Sequence, residues 1–259
     1  MRNRPHCSAA HGARIVKCIV FPLPPWHREP LDPRLSTLGS SALADAMCGL
    51  NIVDAGIRRL GAAFPGREPP NNTRRVGRAV TVRTLRGDHY AVRTAIASTG
   101  PGDVLVIDGQ GDCGRAIWGG LLSERVRARG VVAVVVDGAA RDPAEIGTTE
   151  LPVYARATTP VPSTGLGPGY VNVPVVIGGV IVYPSDVIVA DDEAIVVIPA
   201  RDVDRVVTLA VTKMQSEARV IAAIRANEAT ASHPLPIEAP SMSIEPGPWS
   251  AEAGLPECR

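Results

Sequence analysis

The stretch that decides the fold is residues 119–142, GGLLSERVRARGVVAVVVDGAARD. Its first part, Leu121–Arg129, has a helical pattern and stops at Gly130, a residue suited to follow the C-terminus of a helix. Val131–Asp137 is an almost continuous β-branched run, which predicts a strand buried on both faces. A helix followed directly by such a strand indicates an α/β sheet.

The flanking sequence extends this pattern in both directions. Upstream it predicts two helices, Ser36–Met47 and Tyr90–Ser98, and Ser36 or Ser40 is the N-cap of the first. It also predicts two strands there, Val76–Leu85 and Asp103–Asp108. Downstream it predicts several short strands between Val153 and Pro199 and a long helix, Asp202–Asn227. The order predicts one layered, mixed-sheet α/β domain over residues 31–230.

Both ends of the chain are rich in proline. Residues 1–30 contain five prolines and residues 231–259 contain six. Segments of this kind bury too little apolar surface to offset their ordering entropy. We therefore expect a disordered extension over residues 1–30 and a disordered Pro-rich tail over residues 231–259.

The charge balance and the rare residues narrow the class of protein. Residues 31–230 carry 21 basic and 21 acidic side chains, and this neutral body argues against nucleic acid as a ligand. The five cysteines are scattered and form no CxxC motif, which predicts a reducing, cytoplasmic location. The longest apolar runs are too short to span a membrane, so we expect no membrane partner.

The small numbers of lysine and histidine residues limit the reactions that the protein could catalyse. Lys17 and Lys213 are the only lysines, and His89 is the only histidine inside residues 31–230. A histidine-rich zinc site, a Ser-His-Asp triad and a Schiff-base lysine are all disfavoured. Carboxylates are plentiful, so a bound metal would be a hard cation held by oxygen.

A dinucleotide-binding motif is the first alternative. Gly109–Gly114 matches GxGxxG after a predicted strand, and Asp137 follows at a distance that suits a ribose-binding acid. A helix opening there would, however, place Asp112 against the pyrophosphate. A glycine-rich turn after a strand is the better interpretation.

Two further features are candidates for a site. Gly119–Leu122 begins a helix with two glycines, so its uncovered N–H groups and the helix dipole could bind a small carboxylate. Arg141 and Asp142 follow the buried strand, where open α/β sheets place their ligands; Arg141 could hold an oxyanion and Asp142 a divalent cation. Close backbone packing and a surface Arg-Asp turn are the competing structural interpretations.

Taken together, the motifs resemble a known family. Residues 119–142 resemble the class II pyruvate aldolases related to 4-hydroxy-4-methyl-2-oxoglutarate aldolase, whose superfamily includes the RraA-type regulators of ribonuclease E. The similarity extends over roughly residues 33–228, through segments such as PGDVLVIDG (101–109), VNVPVVIGG (171–179) and PSDVIVADDEAIVVIP (184–199).

The resemblance implies a fold, an activity and a set of site residues. It implies a compact α/β/α swivelling domain, assembled as a homotrimer or hexamer, that uses Mg²⁺ or Mn²⁺ to cleave 4-hydroxy-2-oxo diacids to pyruvate and an oxoacid. Oxaloacetate decarboxylation often accompanies that activity. It makes Asp142 the metal ligand and Arg141 the residue that binds the pyruvoyl oxygens, with Gly119, Gly120, Leu121 and Leu122 receiving the substrate carboxylate. The scarcity of lysine agrees with a metal-stabilised enolate.

One position departs from the family pattern. The aldolases usually carry an acidic residue, which helps to order water around the metal, where this chain has Gly120. Glu124, one helical turn later, is a possible substitute. The resemblance also implies that a neighbouring subunit supplies a catalytic glutamate from its terminal helix, and Glu217 is the best match.

Two rival functions remain at this point. A non-catalytic, protein-binding regulator of ribonuclease activity is the first, and Asp142 argues against it because the regulators in question lack a carboxylate there. A nucleotide-binding oxidoreductase is the second, and it would require Gly109–Gly114 to wrap a pyrophosphate.

Overall fold

The computed structural model describes residues 18–61 and 74–226. Five α-helices are assigned in these residues: α1 (Ser40–Ala46), α2 (Tyr90–Ala95), α3 (Gly120–Arg127), α4 (Pro143–Thr148) and α5 (Val203–Arg225). The main-sheet strands are β1 (Ile19–Val20), β2 (Arg58–Arg59), β3 (Arg75–Thr84), β4 (Asp103–Trp118), β5 (Ala133–Ala140), β6 (Val153–Thr158), β7 (Gly169–Val171), β10 (Val187–Ala190) and β11 (Ile195–Ile198). A separate hairpin consists of β8 (Val175–Ile177) and β9 (Val180–Val182).

The centre of the main sheet is parallel. Strands β3, β4, β5 and β6 lie side by side in this order and all run the same way. Strands β2, β7 and β10 are added in the opposite direction, β2 to β6 and the other two to β3. The predicted mixed-sheet α/β class is confirmed.

Apolar side chains cover both faces of the sheet. Because side chains alternate along a strand, Leu105 and Ile107 of β4 pack on the face that carries α2 and α3, whereas Val104 and Val106 face the β8–β9 hairpin. All eight residues of β5 are buried. The prediction of a strand buried on both faces is confirmed.

The contacts divide the chain after Met214. The first unit contains the sheet and the helices up to that residue, and α1 and the first turns of α5 pack there on β10 and β11. The second unit begins at Gln215, and its described part is the remainder of α5 and Ala226. No helix in the described ranges is long and apolar enough to cross a membrane.

The N-terminal segment differs from the expected disordered extension over residues 18–30. Strand β1 pairs with β7, and Pro25–Arg28 forms a 3-10 helix. The buried His27 ring lies between Ser185 Oγ, at 2.7 Å, and Asp103 Oδ1, at 3.0 Å. These polar contacts anchor a segment whose proline content alone indicates disorder. Residues 1–17 and the predicted tail 231–259 lie outside the described residues.

Two smaller predictions also need correction. The helix predicted over Ser36–Met47 is split into a 3-10 turn, Pro33–Ser36, and α1, whose N-cap is Gly39 rather than Ser36 or Ser40. Strand β4 continues ten residues beyond the predicted Asp108, through the whole of Gly109–Gly114.

Candidate active site

The glycine-rich motif does not form a dinucleotide-binding turn. Gly109–Gly114 lies inside β4, where the pairing with β5 shifts register and Gln110 and Gly111 adopt positive φ. A Rossmann site needs a helix to open directly after the motif, and α3 begins only at Gly120. The structure therefore supports an irregular strand rather than an oxidoreductase site.

The predicted helix start and the predicted strand end come together in space. Arg141 and Asp142 follow β5 directly, and Gly119 is the N-cap of α3. The Gly120 N–H points at Asp142 Oδ2, 3.3 Å away, and Arg141 Nε lies 3.4 Å from the same oxygen. These contacts are long for hydrogen bonds, so the Asp142 carboxylate keeps most of its capacity for a ligand.

Close packing explains Gly119. A Cβ atom at this position would lie 2.9 Å from Asp142 Oδ2 and 3.0 Å from Arg141 Cγ. A larger residue would therefore displace the two side chains to which a function is assigned. The close-packing interpretation holds at Gly119, and the binding of a carboxylate by this helix start stays a prediction.

Hydrogen bonds fix the backbone on which these residues lie. The Arg141 N–H donates to the Trp118 carbonyl at 3.0 Å. The buried Trp118 indole N–H donates to Ser123 Oγ at 2.9 Å, and this hydroxyl donates to the Gly119 carbonyl at 3.2 Å. Strand β4, helix α3 and the end of β5 are thereby held in one arrangement.

Asp142 itself has an unusual backbone. It adopts the left-handed conformation, with φ 57° and ψ 47°, as the N-cap of α4. Aspartate and asparagine tolerate this region better than most other residues. The geometry directs the chain sharply from β5 into α4 and leaves the Asp142 side chain 38% exposed.

Two glutamates lie near the glycine pair, Glu124 in sequence and Glu145 in space, and they differ in their position relative to Gly120. Glu124, the suggested substitute for the missing acid, accepts a hydrogen bond from Arg127 Nε at 3.0 Å and does not line the cleft described below. A Cβ atom on Gly120 would instead lie 3.1 Å from the Cβ of Glu145. Glu145, in the first turn of α4, thus occupies the space that a side chain at position 120 would need.

A cleft of about 350 Å³ opens beside these residues. Its lining includes Gly119, Leu121, Leu122, Arg141 and Asp142, all of them predicted site residues. The lining also contains four polar residues that the sequence did not single out as site residues: His89, Arg93, Arg125 and Ser163. Gly120 is not among the lining residues, and its N–H faces Asp142 Oδ2 at 3.3 Å. A larger cavity, lined by residues such as Arg58, Tyr154 and Asp192, contains none of the predicted site residues.

The position of His89 is fixed by the loop opposite α3. Its Nδ1 contacts the Thr164 carbonyl and lies 3.0 Å from Ser163 Oγ. Because a carbonyl only accepts, this contact assigns a proton to Nδ1.

Asp88 holds this loop in place. Its Oδ2 accepts hydrogen bonds from Thr164 Oγ1 (2.8 Å), the Leu166 N–H (2.7 Å) and the Gly167 N–H (3.3 Å), while Oδ1 accepts the Tyr90 N–H (2.8 Å). Burial is the largest single influence on Asp88 and raises its pKa, but the four hydrogen bonds together outweigh it and hold the pKa below its usual value.

Glu217 lies elsewhere in the chain, in the second unit, and it is exposed on α5. Its assignment to a site therefore stays a prediction. Lys213, the body's only lysine, lies in α5 with its Nζ 3.4 Å from Asp45 Oδ2. That the chain does not use a Schiff-base lysine therefore stays a prediction.

The comparisons with known proteins identify the class to which this fold and site belong. The family profile described as "RraA-like: Aldolase/RraA" matches residues 41–197. The chain belongs to this RraA-like family, as the resemblance in the sequence implied.

Individual relatives carry two kinds of name. The chain is similar to two proteins named "Putative 4-hydroxy-4-methyl-2-oxoglutarate aldolase". The one from Halalkalibacterium halodurans is 36% identical over 70% of this chain and 82% of the relative. The one from Azotobacter vinelandii is 38% identical over 48% of this chain and 75% of the relative. A solved structure described as the RNA-processing inhibitor RraA from Thermus thermophilis is 32% identical, with a TM-score of 0.54, over 62% of this chain and 92% of that one. The relatives named aldolases support a lyase-type enzyme.

Proposed function

We propose that this protein is a divalent-metal-dependent lyase that cleaves 4-hydroxy-2-oxo diacids, of the 4-hydroxy-4-methyl-2-oxoglutarate type, to pyruvate and a second oxoacid. Oxaloacetate, which also yields pyruvate enolate when it loses CO₂, is a further substrate. The observation that carries the proposal is the convergence of Arg141, Asp142 and the Gly120 N–H at one end of a cationic cleft.

The donor set fits Mg²⁺ or Mn²⁺. Asp142 is the only carboxylate among the described residues that line the cleft, and no group of three or more His, Cys, Asp or Glu side chains in the described ranges could hold a metal. Mg²⁺ commonly binds through one or two carboxylates and keeps several waters. Asp142 would hold the ion, and the bound ion would act as a Lewis acid on the 2-oxo group.

The remaining roles belong to side chains and backbone groups of the chain. The Arg141 guanidinium donates hydrogen bonds to the oxygens of the pyruvoyl group and stabilises the negative charge that develops there. The Gly120 N–H and the first turn of α3 receive the carboxylate next to the oxo group. Leu121 and Leu122 place apolar surface beside the reacting carbons.

A neighbouring subunit completes the site in this proposal. One chain supplies few carboxylates, because Gly120 carries none. In a homotrimer or a hexamer, Glu217 of the adjacent chain would provide the missing acid. Sedimentation analysis would test the assembly, and a fully active monomer would contradict it.

Pyruvate release is the direct test. We expect release from 4-hydroxy-4-methyl-2-oxoglutarate to need Mg²⁺ or Mn²⁺ and to stop on chelation. Asp142→Asn should lower kcat/KM by at least about 100-fold, since asparagine is a poor ligand for a hard cation. Asparagine is preferable to alanine because it keeps the left-handed backbone conformation. Metal-independent release, or unchanged release by Asp142→Asn, would contradict the proposal.

A protein-binding regulator of ribonuclease activity is the second candidate. The 32% identity to the Thermus RNA-processing inhibitor favours it. The two candidates differ at Asp142, which a lyase needs and a binding surface does not. Inhibition of ribonuclease cleavage by the Asp142→Asn variant, without any pyruvate release by the unmodified protein, would favour the regulator.

A further inference from the structure

The cleft carries more positive charge than the proposed reaction centre uses. Arg93, Arg125 and Arg141 line it, and Asp142 is the one acidic residue among the described lining residues. Arg141 lies 3.4 Å from Asp142. Within residues 18–61 and 74–226, by contrast, no hydrogen bond or ion pair engages the guanidinium of Arg93 or Arg125.

The helical register explains why both arginines reach the cleft. Residues four apart share one face of a helix. His89, at the N-cap of α2, and Arg93 form one such pair, and Leu121 and Arg125 of α3 form the other. Each helix thus contributes one arginine to the lining of the same cavity of about 350 Å³.

A diacid substrate has a charge that these arginines match. Its first carboxylate adjoins the oxo group, and the proposed function assigns that end to Asp142, Arg141 and Gly120. Its distal carboxylate lies beyond the bond that breaks and needs a partner of its own. Guanidinium groups are well suited to such a partner because they bind a carboxylate through paired N–H donors.

We infer that Arg93 and Arg125 bind the distal carboxylate and select dicarboxylate over monocarboxylate oxoacids. This inference rests on the proposed function for the identity of the substrate. It concerns a separable property, because the two arginines determine which oxoacid enters the cleft and take no part in breaking the bond.

Binding of two unreactive oxoacids tests the inference. 2-Oxoglutarate and 2-oxopentanoate have the same length, differ in the distal carboxylate and lack the 4-hydroxyl group needed for cleavage. Calorimetry with Mg²⁺ should show 2-oxoglutarate binding at least about tenfold more tightly. Arg93→Gln and Arg125→Gln should each remove most of that preference and leave 2-oxopentanoate binding unchanged.

Arg127→Gln is the matched control. Arg127 is also on α3 and exposed, but it pairs with Glu124 and does not line the cleft. This variant should keep the wild-type preference. Equal affinity of the wild type for the two oxoacids, or an equal loss in Arg127→Gln, would overturn the inference.

The experiment separates this inference from the proposed function. If the preference depends on Arg93 and Arg125 but no pyruvate is released from any diacid, the lyase assignment fails and the dicarboxylate site stands. If pyruvate is released while the arginine variants keep the preference for 2-oxoglutarate, the lyase assignment stands and the dicarboxylate site fails.

Discussion

Asp137 and Asp142 lie five residues apart, and their carboxylates differ in burial and in the strength of their contacts within the chain. Asp137 is within β5 and buried, and its oxygens accept hydrogen bonds from the Arg156 guanidinium and from the Gly178 N–H at 2.7 Å. Asp142 follows β5 and is partly exposed, and within the described residues its carboxylate has two long contacts, at 3.3 and 3.4 Å. A carboxylate whose partners are all internal stabilises the fold, whereas one with weak internal partners remains available to a ligand.

The same contrast separates the two faces of the sheet. On the hairpin side, Asp137 and Arg156 join Asp54, whose carboxylate lies 3.2 Å from Arg156 Nη1. Charges there are matched within the chain. On the helix side, Arg93 and Arg125 line the cleft, and neither guanidinium has a hydrogen bond or ion pair within residues 18–61 and 74–226. Residual charge, rather than the number of charged groups, therefore distinguishes the side of the sheet on which we propose that substrate binds.

The largest expected effect comes from removing Asp137. Asp137→Ala leaves the Arg156 charge and the Gly178 N–H without their partner, and loss of one member of a largely buried pair should lower the free energy of unfolding by about 3 kcal/mol. Asp142→Asn should change it by less than about 1 kcal/mol. Urea unfolding measures both values, and similar losses in the two variants would contradict the distinction drawn above.

Asp88 should give the next largest effect. Asp88→Asn replaces one acceptor oxygen by an NH₂ group that faces N–H donors. We expect this change to lower the free energy of unfolding by about 2 kcal/mol at pH 7. Because the pKa of Asp88 is lowered in the fold, its contribution is complete above the unfolded value of about 3.9 and is lost as pH falls through the folded value. The wild-type advantage over Asp88→Asn should therefore shrink below pH 4. An advantage that stays constant to pH 2 would contradict this assignment.

The sequence predicted the elements that depend on local patterns. The β-branched run of β5, the glycines at the start of α3 and the carboxylate that follows β5 all have direct physical signatures, so Gly119, Arg141 and Asp142 could be placed before the structure. Their meeting follows from the rule that sites form at the carboxyl ends of parallel strands.

The features that could not be predicted from the sequence are those that depend on contacts between residues far apart in the chain. The proline-rich segment before residue 30 is ordered by the pairing of β1 with β7 and by His27, whose partners lie 76 and 158 residues away. Arg93 and Arg125 carried no signal beyond helical register, since a surface arginine and a cleft arginine look alike in sequence. His89 had one usable signal, as the only histidine within residues 31–230.

The smallest effect should come from Asp108, the neighbour of Asp137 across the β4–β5 pairing. Burial is the main influence on Asp108 and raises its pKa, although the Gln110 N–H and the Arg83 charge oppose this. A carboxyl with a raised pKa binds its proton more tightly in the fold, so its contribution to stability is greatest below the unfolded pKa and declines as pH rises through the folded value. This direction is opposite to that of Asp88.

Asp108→Asn tests this sign. The amide oxygen can still accept a hydrogen bond from the Gln110 N–H, and no charge has to be buried. We therefore expect the free energy of unfolding at pH 7 to stay the same or to rise by less than about 1 kcal/mol. Relative to this variant, the wild type should gain stability as pH falls from 7 to 4, while relative to Asp88→Asn it should lose its advantage below pH 4. Unfolding curves for both variants across that range provide the measurement. A loss at pH 7 as large as that of Asp137→Ala would show that the Asp108 charge is matched internally, like that of Asp137, and that burial does not dominate its behaviour.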